Sequence, residues 1–164
     1  MSYQTKKTIT SLVASLIILV SYCLNIYNHY KAGNIIENDL QFWAKQMVTY
    51  IVVGVIVTIV LHIVFHIYLS INLAIKEEIK DDKAINRKLE LEMVEDEMDK
   101  LIELKSMRVG YIVVSTGFVS SLVYLALGGS VVIVLNIMYL SFFIGSLSEG
   151  LSNLFFYFRG VRNG

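Results

Sequence analysis

The stretch MVTYIVVGVIVTIVLHIVFHIYLSINLAI, residues 47–75, decides the fold of this chain. It contains no Asp, Glu, Lys, Arg or Pro. A helix needs about 20 predominantly apolar residues to cross the hydrocarbon core of a bilayer. The stretch is longer than that, so it predicts a transmembrane helix.

Three further runs have the same character, at residues 9–27, 109–127 and 131–158. The 164-residue chain is 55% hydrophobic, has no proline and has a mean hydropathy of +0.62. This composition lies outside the range of soluble domains and is typical of membrane proteins. We therefore expect an all-α integral membrane protein, built as an antiparallel four-helix transmembrane bundle.

The distribution of Lys and Arg predicts how the chain is oriented. Twelve of the fourteen lie before the first run, between the second and third runs, or after the fourth, whereas only Lys31 and Lys45 lie in the loop 28–46. Loops rich in Lys and Arg stay in the cytoplasm. We expect a multi-pass protein of the bacterial inner membrane, with both termini and segment 76–108 in the cytoplasm.

The chain divides into a first helix pair at 1–75, a charged cytoplasmic segment at 76–108, and a second hairpin with a short tail at 109–164. The link Gly128-Gly129-Ser130 is so short that the helices on either side of it must form a hairpin. In segment 76–108, apolar residues recur at helical spacing without Pro or Gly. The pattern predicts a charged helical hairpin that turns near residues 81–86 and returns as a helix running directly into the third span.

The returning helix carries an acidic face. Its members, with Glu95 beside them, are spaced 4, 3 and 4 residues apart: Glu92, Asp96, Asp99 and Glu103. Residues at these spacings share one side of a helix, and like charges placed there repel each other. Three interpretations remain open: a solvated surface, a binding surface for a basic partner protein, or a divalent-cation site completed by a second chain.

Residues 95–105, EDEMDKLIELK, lie just before the third span. This stretch resembles the acidic signature of small bacterial membrane proteins of the DUF2178 kind, a family grouped as domains of unknown function. The resemblance implies four spans and a charged inner loop. It implies no activity.

Four residues within the spans form a candidate intramembrane polar site: His62 and His66 in the second, Glu149 and Asn153 in the fourth. At a rise of about 1.5 Å per residue, His62 and Glu149 are both about 15 Å from the inner boundary. The shared depth predicts either hydrogen bonds that hold the second span to the fourth, or a proton or cation path. No further ligands accompany the two histidines, so we expect neither a metal nor a cofactor.

Nucleotide-binding and hydrolase motifs are absent from the sequence, and the single Cys23 excludes an intramolecular disulfide. The net charge of zero gives no reason to expect nucleic-acid binding. We therefore expect no enzyme. Besides the lipid bilayer, the expected partners are a cytoplasmic or membrane protein and a second copy of the chain.

Two functions remain. The first is an accessory, regulatory or immunity-type interaction protein that acts through the acidic helix. The alternative is an oligomeric proton- or cation-coupled transporter or channel that uses Glu149 with His62 and His66.

Overall fold

The computed structural model describes residues 3–33, 39–77 and 82–160. Their regular elements are five helices: α1 (Tyr3–Lys31), α2 (Leu40–Glu77), α3 (Asp82–Met93), α4 (Glu97–Ala126) and α5 (Val131–Arg159). All except α3 are long and apolar enough to cross a membrane. This confirms the prediction of an all-helical structure with four helices able to span a membrane.

The helices reach further than the apolar runs that predicted them. α1 ends at Lys31 and α2 begins at Leu40, so the predicted loop 28–46 is largely helical, and its residues 34–38 lie outside the described residues. Asp39 begins α2, because its Oδ1 accepts a hydrogen bond from the backbone N–H of Phe42 at 2.9 Å. A side-chain acceptor at this position satisfies one of the free N–H groups of a helix start.

The charged segment differs from the prediction at two points. Residues 82–86 belong to α3 and do not form a turn, while residues 78–81 lie outside the described part of the chain. The returning helix is also interrupted, because the backbone of Asp96 is extended, with φ −83° and ψ 175°. Asp96 caps α4: its Oδ1 accepts from the Asp99 N–H at 2.6 Å, and Asp99 Oδ2 accepts from the Asp96 N–H at 3.2 Å. This reciprocal capping box ends one helix and starts the next.

α4 and α5 pack closely through small residues. A Cβ atom added at Gly145 would lie 2.5 Å from Val114 Cγ2 and 3.1 Å from the Gly110 carbonyl oxygen, and Gly117 faces Ser141 without room for a Cβ. Gly128 in the link has a φ of +87°, which glycine adopts at little cost. Along the pair, later residues of α4 meet earlier residues of α5, so the two helices run in opposite directions.

α1 packs against α5 on one side and α2 on the other, while α2 also contacts α5 and α3. In the described part of the chain, α2 and α4 have no extensive contact. The helices are therefore ordered α2, α1, α5, α4, with α1 and α5 in the centre. An aromatic core cluster joins three of them: Tyr22, Trp43, Met47, Val132 and Tyr139.

Contacts between helix ends define two ends of the molecule. Thr8 bonds Asn153, Ser11 contacts His62, and Gly110 lies against Glu149. The starts of α1 and α4 therefore lie beside the finishing halves of α2 and α5, and we call this the charged end. At the other end, Tyr22 bonds Asn136, and we call it the aromatic end.

Candidate functional site: an acidic cleft

A polar cleft opens at the charged end, between α1, the start of α4 and the last turns of α5. Its volume is about 190 Å³. We call it the acidic cleft and define it by its charged lining: Lys7, Glu95, Asp99, Glu103 and Glu149. Leu12 and Gly150 are the two residues of its lining that are not polar. A cleft of this polarity within membrane-spanning helices is costly to form, which makes it a candidate functional site.

Negative charge dominates the acidic cleft, because four carboxylates and one ammonium group line it. Lys7 Nζ lies 3.8 Å from Glu95 Oε1, and Gln4 Nε2 donates a hydrogen bond to the same oxygen at 3.3 Å. Lys7 therefore offsets one carboxylate of the four. Such an excess favours the binding of a cationic group.

At the mouth of the cleft, Asp99 has a structural role. Its Oδ2 accepts from the backbone N–H of Asp96 in the capping box, and its Oδ1 accepts from the Tyr157 hydroxyl at 2.7 Å. Both carboxylate oxygens are thus engaged. Asp99 joins the start of α4 to the end of α5 and fixes the width of the cleft.

Deeper in the cleft, Glu149 is half-buried on α5. Its side chain lies against Gly110, where a Cβ atom would come within 3.1 Å of Oε2. Among the described residues, no side chain or backbone group donates a hydrogen bond to this carboxylate. Glu103 also has no donor among these residues but is exposed, so Glu149 is the more buried of the two free carboxylates in the cleft and the better placed to bind a cation.

Hydrogen bonds between α1 and α5 form the walls around Glu149. Thr8 Oγ1 donates to Asn153 Oδ1 at 2.9 Å, and the hydroxyls of Ser15 and Ser146 lie 3.3 Å apart at the deep end. Asn153, predicted as part of the intramembrane polar site, thus lines the cleft with Glu149.

The structure places the two histidines elsewhere. His62 has Nδ1 2.9 Å from the Thr58 carbonyl oxygen and Nε2 3.4 Å from Ser11 Oγ, while the His66 ring packs beside Tyr3. Both contact α1, and neither lines the acidic cleft. The expected contact between these histidines and Glu149 is not formed, because both histidines face α1. In residues 3–33, 39–77 and 82–160, no group of three or more His, Cys, Asp or Glu is arranged to hold a metal ion.

The acidic residues predicted to bind a partner separate into different positions. Glu92 lies on α3, and its side chain is outside the described part of the structure. Asp96 is the exposed cap of α4, whereas Asp99 and Glu103 line the cleft. The expectation of one face on one continuous helix is wrong because the helix is interrupted at residues 94–96.

The contribution of α1 to the cleft was missed from the sequence. Its polar residues are spaced 4, 3 and 4 apart: Gln4, Thr8, Ser11 and Ser15. This spacing places them on one side of the helix. The polar stripe was the available signal that α1 faces a polar site.

Comparison with protein-family models, curated proteins and solved structures finds nothing that matches this chain. The resemblance of residues 95–105 to an uncharacterised family stays a prediction. Function is therefore inferred from the residues of the cleft.

Proposed function

We propose that this chain is a small bacterial inner-membrane interaction protein, of the accessory, regulatory or immunity type, that receives a basic side chain of a partner protein in its acidic cleft. The observation that carries the proposal is Glu149, a half-buried carboxylate without a hydrogen-bond donor among the described residues, in a cleft with three more carboxylates. The orientation rests on the Lys and Arg distribution, which puts the mouth of the cleft in the cytoplasm.

The size of the cleft supports a single side chain as the ligand. Its volume of about 190 Å³ is below the range of about 300–1,000 Å³ that is usual for sites of small-molecule ligands. A helix is about 10 Å across with its side chains and does not fit. A lysine or arginine reaching inward along Thr8 and Asn153 brings its charge to Glu149, and an arginine forms two parallel hydrogen bonds with a carboxylate.

The deep end of the cleft favours binding of a basic group in the cleft over its passage further between the helices. Beside Ser15, the α1 side chains of Ala14 and Ile18 are apolar and buried, 1% and 6% exposed. The larger cavity nearer the aromatic end has no lining residue in common with the cleft. A basic group that enters therefore stops at Glu149.

The alternative is an oligomeric proton- or cation-coupled transporter or channel. The depth of Glu149 inside a membrane-spanning helix favours it, since ionisable residues placed there commonly mark ion paths. In this alternative, the path passes Glu149 and must open between α1 and α5.

The first experiment compares which proteins copurify with three forms of the chain from native membranes. Native mass spectrometry in mild detergent measures the complexes formed by the wild type, Glu149→Gln and the matched control Glu90→Gln. Glu90 is an exposed residue of α3 outside the cleft. A hydrogen bond to a charged group contributes about 1.5–3 kcal/mol, so we expect Glu149→Gln to lower partner occupancy at least tenfold. The Glu90→Gln protein should retain the partner.

The transport alternative is tested with the purified chain in liposomes that contain a pH-sensitive dye. Flux that Glu149→Gln abolishes, in a protein that copurifies with no partner, would replace the interaction proposal by the transport one. If all three forms retain the partner equally, the cleft is not its binding site.

A further inference from the structure

A second cavity lies at the aromatic end, on the same side of α5 as the acidic cleft. The last turns of α1, the start of α2 and the first half of α5 enclose a volume of about 720 Å³. We call it the aromatic cavity and define it by Tyr22, Cys23, Tyr27, Trp43 and Asn136. Its size is within the range of about 300–1,000 Å³ that ligand sites usually have.

The lining of the aromatic cavity selects for a neutral, mostly apolar ligand. It contains no Asp, Glu, Lys, Arg or His, in contrast to the acidic cleft. Asn136 has little hydrogen-bonding capacity left, since its Oδ1 accepts from Tyr22 and its Nδ2 donates to the Val132 carbonyl oxygen. A charged ligand would lose its hydration there without an opposite charge to replace it.

The position of the cavity fits a lipid chain. Tyr27, Tyr30 and Trp43 line it near the ends of membrane-spanning helices. Trp and Tyr are enriched where the hydrocarbon of a bilayer meets its headgroups. The ester carbonyl oxygens of glycerophospholipids lie at that boundary, with the acyl chains running from it toward the bilayer centre.

An unpaired hydrogen-bond donor, the N–H of Trp43, indicates which chemical group the ligand supplies. Trp43 is 8% exposed, and its Nε1 is buried without a hydrogen-bond partner among the described residues. The indole N–H is a donor only, and buried donors are nearly always paired, so the missing group is an acceptor. Trp43 lines the cavity, so a turn of its indole ring would bring this donor to a ligand there.

We propose that the aromatic cavity binds one acyl chain of a membrane glycerophospholipid, and that the Trp43 indole turns toward it so that Nε1 donates a hydrogen bond to the ester carbonyl of that chain. The site is separate from the acidic cleft and does not depend on the function proposed for it. A bound lipid would fill the space between α1 and α5 at the aromatic end.

Trp43 is the only tryptophan of the chain, so its fluorescence reports on this cavity directly. The probe is phosphatidylcholine with brominated acyl chains, titrated into the purified full chain in detergent. We expect quenching that saturates at one lipid per chain. Cys23 is exposed and lines the cavity, so Cys23→Phe narrows the cavity without entering the core. This variant should need at least five times more lipid for half-maximal quenching.

Val13→Phe is the matched control, because Val13 is an exposed α1 residue outside the cavity. It should titrate like the wild type. Quenching that rises without saturation and equally in all three proteins would mean ordinary contact with lipid, and it would overturn the proposal.

A second measurement tests the hydrogen bond. Trp43→Phe keeps an aromatic ring and removes the N–H, and native mass spectrometry counts the phospholipid retained as detergent is increased. Loss of one neutral hydrogen bond should weaken retention about fivefold. Equal retention by Trp43→Phe, or occupation of the cavity by a second copy of the chain that replaces the lipid, would contradict the proposal.

Discussion

α5 packs mainly against two helices, α4 and α1, and the two contacts differ. Toward α4 its surface is made of small residues, and Gly145 lies close to both Val114 and the Gly110 carbonyl oxygen. Toward α1 it presents polar and aromatic side chains, and both the acidic cleft and the aromatic cavity lie on this side.

The difference follows from side-chain size. In a bilayer, helices gain little from the hydrophobic effect and associate through van der Waals packing, which is best where small residues let the backbones approach. Between α1 and α5, polar and aromatic side chains line the cleft and the cavity, and Gly150 packs against Leu12. We infer that the α4–α5 contact provides stability and that the α1–α5 contact provides binding sites.

The largest fall in the free energy of unfolding should come from Gly117→Ala. The new Cβ would lie 2.5 Å from Ser141 Cβ, which cannot move away without a shift of the backbone. Overpacking of this kind costs about 1–3 kcal/mol, which outweighs the gain of up to about 1 kcal/mol in helix propensity. We expect a lower free energy of unfolding, measured by SDS titration of the protein in detergent micelles.

Gly54→Ala is the control for this substitution. Gly54 is also inside a helix, but the nearest atom to its added Cβ is Ile18 Cδ1 at 3.4 Å, an ordinary contact distance. Only the gain in helix propensity remains, so the free energy of unfolding should stay the same or rise. Equal destabilisation by both substitutions would refute the idea that Gly117→Ala acts through the close α4–α5 packing.

Hydropathy was sufficient to predict the four long helices, and the short link Gly128-Gly129-Ser130 predicted the α4–α5 hairpin. The interruption at residues 94–96 was missed because Glu95, Glu97 and Met98 favour helix formation, and the spacing of apolar residues continues across it. The signal was Asp96 followed three residues later by Asp99, a spacing that suits a capping box.

The parts of the acidic cleft were predicted separately. Glu149 was assigned to the membrane interior, and Asp99 and Glu103 to a cytoplasmic helix face. The register of the α4–α5 hairpin brings them together, since Gly110 faces Glu149 and Tyr157 reaches Asp99. The order of the helices cannot be read from hydropathy, which is why the histidines were expected beside Glu149 although they contact α1.

An intermediate fall in the free energy of unfolding is expected from Asp96→Ala. The substitution removes the acceptor for the Asp99 N–H and should lower the free energy of unfolding by about 1 kcal/mol. Asp96→Asn, which keeps an acceptor, should recover most of the loss. Both are compared with the wild type by SDS titration. Equal loss in the two variants would mean that the charge at the α4 start matters, not the cap.

The smallest fall in the free energy of unfolding should come from Tyr22→Phe. This substitution tests the α1–α5 contact against the α4–α5 contact. Tyr22 is 2% exposed, and its hydroxyl donates to Asn136 Oδ1 at 2.9 Å. Hydrogen bonds between membrane helices contribute about 0.6 kcal/mol on average, so the free energy of unfolding should fall by about that amount. Tyr111→Phe, at a residue that is 74% exposed, is the control and should have no effect. A loss from Tyr22→Phe as large as that from Gly117→Ala would show that the polar α1–α5 contact stabilises the fold as much as the close-packed one, and the division between stability and binding would fail.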